Sequence, residues 1–140
     1  MPVLNSLTKM AAKPIPRVVT PKAHAMIDYA SVGLFLGTTA WVWRRNRRAA
    51  VASLICGGAE LAVMLLTDYP GGIKKFISFR THREMDYRMA AMVASMPESL
   101  ALKGDDATKF FRVQGALITL LGELTQSSPV PSKRMRTRAA

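Results

Sequence analysis

Apolar residues form two long runs in the first half of the chain. Residues 25–43 contain one acid, Asp28, and residues 49–67 contain one charged residue, Glu60. A run of about 20 predominantly apolar residues is long enough for a helix to cross a bilayer. The pattern therefore predicts two helices, joined by the short basic turn RRNRR into a hairpin and ended by DYPGG.

The second half has a helical pattern with more polar residues. Residues 82–102 carry Arg88 and Glu98, with Pro97 as an expected kink, and residues 109–125 carry Glu123. Taken alone, neither stretch predicts a membrane span, because each charge near the centre of such a helix costs about 3 kcal/mol.

The two halves of the sequence match each other in one register, without a gap. We call the spacing from His24 to His82, which defines this register, the repeat offset. A coincidence of common apolar residues does not explain the His, Asp and Tyr matches, so the repeat offset predicts a duplicated hairpin. The identities are His24 with His82, Asp28 with Asp86, Tyr29 with Tyr87, Ala49 with Ala107, Gly57 with Gly115, Leu66 with Leu124 and Thr67 with Thr125.

These patterns together predict an all-α fold. Two tandem hairpins with short connections give a four-helix transmembrane bundle of up-down-up-down topology. The duplicated membrane domain spans residues 22–126, with repeat one at about 22–72 and repeat two at about 80–126. We expect residues 1–21 to be an extended basic arm and residues 127–140 to be a disordered basic tail.

The net charge of +11 lies in blocks outside the apolar runs. Twelve basic residues fall on the face that holds both chain ends and the 68–83 connection, against seven in the two hairpin turns, so we expect the former face to be cytoplasmic. No aromatic residues alternate with the basic ones, which disfavours nucleic-acid binding. The lone Cys56 excludes an internal disulfide and most thiolate metal sites.

Polar residues with metal-binding chemistry converge at one end of the predicted bundle. A spacing of four places His24 above Asp28 and His82 above Asp86, each pair on one helix face. The first and third helices start on the same side, so both pairs lie at the same depth. The expected cluster, with Thr67 and Thr125 nearby, comprises His24, Asp28, Tyr29, Asp68, Tyr69, His82, Asp86 and Tyr87.

Three interpretations of this cluster remain open from the sequence. Imidazole and carboxylate groups are suitable ligands for a divalent ion such as zinc, iron or manganese. His24 and His82 are alternatively placed to ligate a b-type haem from both faces. In the third interpretation the cluster is structural, with acids complementing the helix dipoles and each His donating to the Asp one turn on.

Glu60 is an ionisable residue in the middle of the most apolar helix, where such groups usually have a partner. It lies about 12 Å below Asp68, and Arg88 lies about 9 Å below His82, at 1.5 Å per residue. Because the two depths are similar, we expect Glu60 and Arg88 to face the interior and form an ion pair. Proton relay through Glu60 is the alternative role.

The chain resembles small bacterial membrane proteins of the SPW-repeat type over roughly residues 20–126. The resemblance rests on His and Asp before an apolar hairpin that closes on TDYPGG, followed by His, Asp and the SMP of the third helix. It implies duplicated helical hairpins without an established activity, and it places the protein in a bacterial inner membrane.

No catalytic motif is present, so an enzyme is not favoured. We expect an integral membrane protein with a structural or accessory role, in contact with the lipid bilayer and with other membrane subunits or a second copy. The alternative is a small metal- or haem-binding redox membrane protein that uses His24 and His82.

Overall fold

Four α-helices account for the regular secondary structure that the structure describes. The computed structural model describes residues 15–102 and 106–126. Its helices are α1 (Pro21–Val42), α2 (Arg47–Leu66), α3 (Phe79–Ser99) and α4 (Asp106–Leu124). These ranges contain two isolated β-bridges and no strand, so the predicted all-α class is confirmed. Most of the predicted arm and the whole predicted tail lie outside the described residues.

Helices α1 and α3 begin with the same capping arrangement. The Thr20 hydroxyl accepts a hydrogen bond from the Ala23 amide at 3.2 Å, and the Ser78 hydroxyl accepts one from the Thr81 amide at 3.1 Å. Pro21 at the first position of α1 adds a preset helical φ angle. Because the cap fixes the start, α1 begins before the apolar stretch from which it was predicted.

Each helical hairpin is closely packed and antiparallel. In the first, the Ser53 hydroxyl donates to the Phe35 carbonyl oxygen at 2.7 Å. Glycines allow the helices to approach: a Cβ on Gly57 would lie 2.8 Å from the Phe35 Cβ, and one on Gly115 would lie 2.8 Å from the Ala94 Cβ. The two hairpins contact each other less extensively than the helices do within each hairpin.

Positions related by the repeat offset make equivalent main-chain contacts. The Val19 amide donates to the Leu124 carbonyl oxygen at 2.9 Å, and the Ile77 amide donates to the Leu66 carbonyl oxygen at 2.9 Å. Each contact joins the end of one hairpin to the segment that leads into the other. The starts of α1 and α3 are thereby held at one end of the molecule, beside the ends of α2 and α4.

The apolar core has two parts. The larger part lies between the helices of both hairpins and includes Phe35, Cys56, Val93 and Phe111, so Cys56 is a buried small hydrophobe. The smaller part lies next to the starts of α1 and α3 and consists of Ala25, Val32, Met64 and Tyr69, with Leu61 and Phe79 packed against it. This second part forms the apolar surroundings of the polar cluster.

Candidate metal centre

His24 and His82 lie side by side where α1 and α3 begin. Their side chains are 0% and 1% exposed, and their ring centroids are 5.4 Å apart. Each comes from the first turn of its helix, so the caps at Thr20 and Ser78 fix their depth. The structure thus brings together two histidines that are far apart in the sequence.

Two carboxylates lie between the two imidazole rings. Asp28 Oδ2 is 3.3 Å from His24 Nε2 and 3.2 Å from His82 Nε2. Asp86 places Oδ2 at 3.2 Å from His24 Nε2 and Oδ1 at 3.4 Å from His82 Nε2. Each histidine therefore contacts both its own aspartate, one helical turn on, and the aspartate of the other hairpin. We call His24, Asp28, His82 and Asp86 the His–Asp cluster.

Two threonines fix the tautomer of both histidines. The Thr125 hydroxyl donates its proton to the Leu121 carbonyl oxygen at 2.6 Å, so its oxygen accepts the bond from His24 Nδ1 at 2.8 Å. Thr67 does the same for His82, donating to the Val63 carbonyl oxygen at 2.6 Å and accepting from Nδ1 at 2.9 Å. With the proton on Nδ1, a neutral imidazole directs the lone pair of Nε2 into the cluster.

The two Nε2 atoms lie near the carboxylates but form no well-aligned hydrogen bond among the described residues. Neither His24 Nε2 nor His82 Nε2 has a hydrogen-bond partner of acceptable geometry among the described residues, and the same is true of Asp86 Oδ2. Buried polar atoms are normally paired, so such atoms require an explanation. Two carboxylates beside two Nε2 atoms in an apolar surrounding need compensating positive charge, which a bound cation or a second proton on the imidazoles would supply.

The spacing of three of these side chains, His24, His82 and Asp86, suits a metal ion. Ligands at 2.0–2.2 Å from an ion lie about 3.3–3.5 Å from one another in tetrahedral geometry, and the four nitrogen–oxygen distances in the cluster are 3.2–3.4 Å. His24, His82 and Asp86 each offer one ligand atom within 4.8 Å of the others. Imidazole and carboxylate ligands suit zinc and divalent iron or manganese, and a ligand set without thiolate or thioether disfavours copper(I).

Aromatic side chains enclose the cluster from the loop side. The Tyr69 hydroxyl donates to Asp28 Oδ2 at 3.3 Å, and the Phe79 ring contacts the His24 ring edge-on at a centroid distance of 5.3 Å. Burial raises the pKa of Tyr69 above its usual range, and the nearby Asp28 carboxylate raises it further. The phenol therefore stays protonated and acts as a donor that orients Asp28.

Three predicted members of the cluster lie outside it. Asp68 is exposed and pairs with Lys75 at 2.8 Å, because α2 ends at Leu66 and Thr67 takes the place beside His82. The Tyr29 hydroxyl donates to the Gly71 carbonyl oxygen at 2.7 Å, and the Tyr87 hydroxyl donates to Glu123 at 2.9 Å. Both tyrosines are one residue beyond a cluster aspartate, so the helix turns them by about 100° to another face.

The cluster does not fit a haem. A porphyrin with two axial histidines needs a clear plane between the two ligating nitrogens. Here the carboxylates of Asp28 and Asp86 occupy that plane, within 3.4 Å of both Nε2 atoms.

Glu60 is buried, as predicted, but its contact is with a different residue. The Ser31 hydroxyl donates to Glu60 Oε2 at 3.2 Å, and Gln114 Nε2 donates to Ser31 Oγ at 3.3 Å. Among the described residues no ion pair joins Glu60 to Arg88, which is exposed at the edge of a cavity that Glu60 also lines. The depths match, but the step along α3 from His82 to Arg88 rotates Arg88 by about 240° from the inward direction of His82.

Ser31 and Gln114 are the polar residues that the sequence analysis missed. Their counterparts at the repeat offset are Met89 and Cys56, so the internal match gives no signal for them. With regard to known proteins, no family model, no curated protein and no solved structure matches the chain.

Proposed function

We propose that the protein is a membrane protein that binds one divalent metal ion in the His–Asp cluster, and that the ion holds its two hairpins together. The observation that carries this proposal is the convergence of two Nε2 atoms on the buried Asp28 and the partly buried Asp86 carboxylates, while threonines accept the hydrogen bonds from both Nδ1 atoms. Zinc, or divalent iron or manganese, is the expected class of ion.

The form of the site favours a structural role. His24, His82 and Asp86 supply three protein ligands, and Asp28, whose Oδ2 contacts both Nε2 atoms, lies where catalytic zinc sites keep a position for water or substrate. The ligands come from α1 and α3, and the threonines that orient them come from the ends of α2 and α4. The ion therefore connects all four helices at the end where the hairpins meet, which suits the accessory role expected from the sequence.

Two observations support a membrane location. Helices α1 and α2 are each long and apolar enough to cross a bilayer, and less than half of each apolar stretch is buried inside the protein. The outward faces carry large apolar side chains, which lipid would cover without the cost of exposure to water. They include Ile27, Leu34, Leu36, Leu54, Ile55, Val113, Leu117 and Leu120.

The first hairpin turn has the composition of a membrane–water interface. Trp41 and Trp43 are exposed, and the guanidinium groups of Arg45 and Arg47 lie 5.9 and 5.5 Å from the centres of their rings. Indole rings with nearby cations are typical of the headgroup level. We place this turn at one membrane surface and the His–Asp cluster near the other. Because basic residues are in excess at the end with the cluster, we propose that this end faces the cytoplasm in a bacterial inner membrane.

Duplication of one hairpin is part of the proposal. It is supported by matching caps, matching bridges and matching His–Thr bonds at positions related by the repeat offset. The resemblance to SPW-repeat proteins suggests the same architecture. Association with other membrane subunits or with a second copy is the partner class that we propose.

Metal content tests the metal site. The purified full-length protein should carry about one equivalent of a divalent metal, measured by inductively coupled plasma mass spectrometry. His82→Gln and Asp86→Asn should each reduce retained metal by at least about tenfold, because each removes or weakens a direct ligand. Asp68→Asn is the matched control, since Asp68 was predicted to join the cluster but pairs with Lys75 instead.

The metal proposal fails if the protein without substitutions, incubated separately with zinc, iron(II) and manganese(II), retains none of these ions after desalting. It also fails if Asp68→Asn and Asp86→Asn lose metal equally. Extraction tests the membrane location separately: washing membranes with alkaline carbonate should leave the protein in the pellet, and detergent should release it. Release by carbonate alone would contradict a spanning bundle while leaving the metal result intact.

A further inference from the structure

The connection between the two hairpins exposes large apolar side chains in an ordered loop. Ile73 and Phe76 are 74% and 78% exposed, more than any other large hydrophobic residue in the described ranges. Lys74 and Lys75 lie between them and are also exposed. Large exposed apolar side chains next to cations are typical of segments that lie at a membrane surface.

Backbone bonds hold this loop in place. The amides of Ile73 and Lys74 both donate to the Leu65 carbonyl oxygen at 2.8 Å, and those of Phe76 and Ile77 both donate to the Leu66 carbonyl oxygen at 2.9 Å. Free carbonyl groups at the end of α2 are thereby satisfied. The exposed side chains of Ile73 and Phe76 are consequently presented from a fixed backbone.

Glycines allow the loop to fold back so closely. A Cβ on Gly72 would overlap the Thr67 carbonyl oxygen, and Gly71 has a φ angle of +117°. A positive φ angle of this size is costly for residues with side chains. The loop is therefore built into the end of the molecule, close to Thr67 and the His–Asp cluster.

The segment before α1 repeats this presentation. Ile15 and Val18, the counterparts of Ile73 and Phe76 at the repeat offset, are 50% and 66% exposed, with Arg17 between them. The matching bridges at Val19 and Ile77 place both segments at the end of the molecule where α1 and α3 begin. Outside the His–Asp cluster, the described residues at that end carry the cations Arg17, Lys22, Lys74, Lys75, Arg80 and Arg83 against the acids Asp68, Glu84 and Glu123.

We propose that the 73–76 loop and residues 15–18 form a two-pronged membrane anchor that inserts apolar side chains beneath anionic phospholipid headgroups. Apolar side chains reach the boundary between headgroups and acyl chains, while lysines a residue away contact headgroup phosphates. Charge complementarity selects anionic lipid over zwitterionic lipid. This inference rests on the proposed membrane location and is independent of metal binding.

Fluorescence of a single indole tests the anchor. Phe76→Trp, in the full chain with Trp41→Phe and Trp43→Phe, is reconstituted into bilayers of phosphatidylcholine with phosphatidylglycerol. Insertion predicts blue-shifted emission and at least about twofold quenching by lipids brominated on their acyl chains. Brominated phosphatidylglycerol should quench better than brominated phosphatidylcholine at equal mole fraction, because a lysine near the surface favours anionic lipid about fivefold.

Charge variants and the native protein serve as controls. Lys74→Gln with Lys75→Gln should remove the preference for the anionic quencher and leave insertion in place. Water-like emission at position 76 without lipid quenching overturns the anchor, and so does equal quenching by the two lipids before the lysines are changed. The native Trp41 and Trp43 report on the opposite end, so water-like emission from them as well would instead contradict the membrane location.

Discussion

The two hairpins share one framework at the end with the His–Asp cluster and differ along the rest of their length. Both contribute a capped helix start, a His, an Asp and a terminal Thr with the same bonds. Between the cluster and the hairpin turn, the helices of the first hairpin carry one charged residue, the buried Glu60. The second carries an exposed Glu98–Arg112 pair at 2.6 Å and the exposed Arg88.

This contrast shows that the His, Asp and Thr residues at the His–Asp cluster are the same in both hairpins, whereas the residues packed along the middle of the helices differ. The proposed shared ion would account for the equivalent ends, because it would use a His and an orienting Thr from each half. The middle of the bundle has no such requirement, so Glu60 lies opposite Ser31 in one half while Ile118 and Met89 occupy the matching positions in the other. Metal removal should therefore affect the shared end first.

Chelation of the metal should give the largest effect. At free metal 1,000-fold above the dissociation constant, bound ion stabilises the folded state by about 4 kcal/mol, and a strong chelator removes this contribution. We expect a lower melting temperature in detergent and faster amide exchange at residues 24–28 and 82–86, with little change in the hairpin turns. Uniform acceleration along all four helices would contradict an ion that joins two otherwise separate hairpins.

Alanine at the two packing glycines should distinguish the hairpins next. A Cβ on Gly115 meets the Ala90 carbonyl oxygen at 2.9 Å and the Ala94 amide nitrogen at 3.0 Å, whereas the one atom this close to a Cβ on Gly57 is the Phe35 Cβ at 2.8 Å. Because neither backbone atoms nor a Cβ can move aside locally, both variants should destabilise, Gly115→Ala with its larger number of close contacts by about 3 kcal/mol and Gly57→Ala by about 2 kcal/mol.

Denaturation in mixed micelles measures the difference between these glycine variants. Gly58→Ala is the control, since Gly58 has nothing within 4 Å of the added Cβ. Its effect should be neutral or stabilising by up to about 1 kcal/mol. A larger loss at Gly57 than at Gly115 would reverse our view of which hairpin is packed more tightly.

The two threonines test whether the shared end is equivalent in function. Thr67→Val and Thr125→Val keep the side-chain shape but remove the oxygen that accepts the Nδ1 proton. Each should weaken metal binding by about 10–100-fold, and by the same factor. Competition titration with a chelating dye gives both constants, and Thr39→Val, which removes hydroxyl bonds within the first hairpin alone, should leave affinity unchanged.

Sequence reasoning located the cluster because its determinants are local. A spacing of four residues fixes His24 with Asp28 and His82 with Asp86 on their helices, and the repeat offset points to equivalent ends. It failed where side-chain direction depends on the end of a helix or on its rotation. Asp68 turns outward because α2 has already ended, and Tyr29 and Tyr87 follow the aspartates onto another face.

The environment of Glu60 was beyond sequence reasoning for the same reason. Its depth follows from counting residues, but its neighbour depends on how α1, α2 and α4 are rotated against one another. Ser31 and Gln114 have no polar counterparts at the repeat offset that would mark them. The hydrogen bonds from Gln114 to Ser31 and from Ser31 to Glu60 follow from tertiary packing alone.

The smallest effect should come from the ion pair that was predicted and is not formed. Arg88→Ala and Glu60→Gln, measured singly and together, should give a coupling energy below about 0.5 kcal/mol, as for residues without a shared contact. Ser31→Ala combined with Glu60→Gln should couple more strongly, because Ser31 donates directly to Glu60.

Coupling of about 1 kcal/mol or more between Glu60 and Arg88 would mean that the second hairpin neutralises the buried acid of the first. The charge along α3 would then be a requirement of the bundle interior, and the two hairpins would be coupled along their length as well as at the metal.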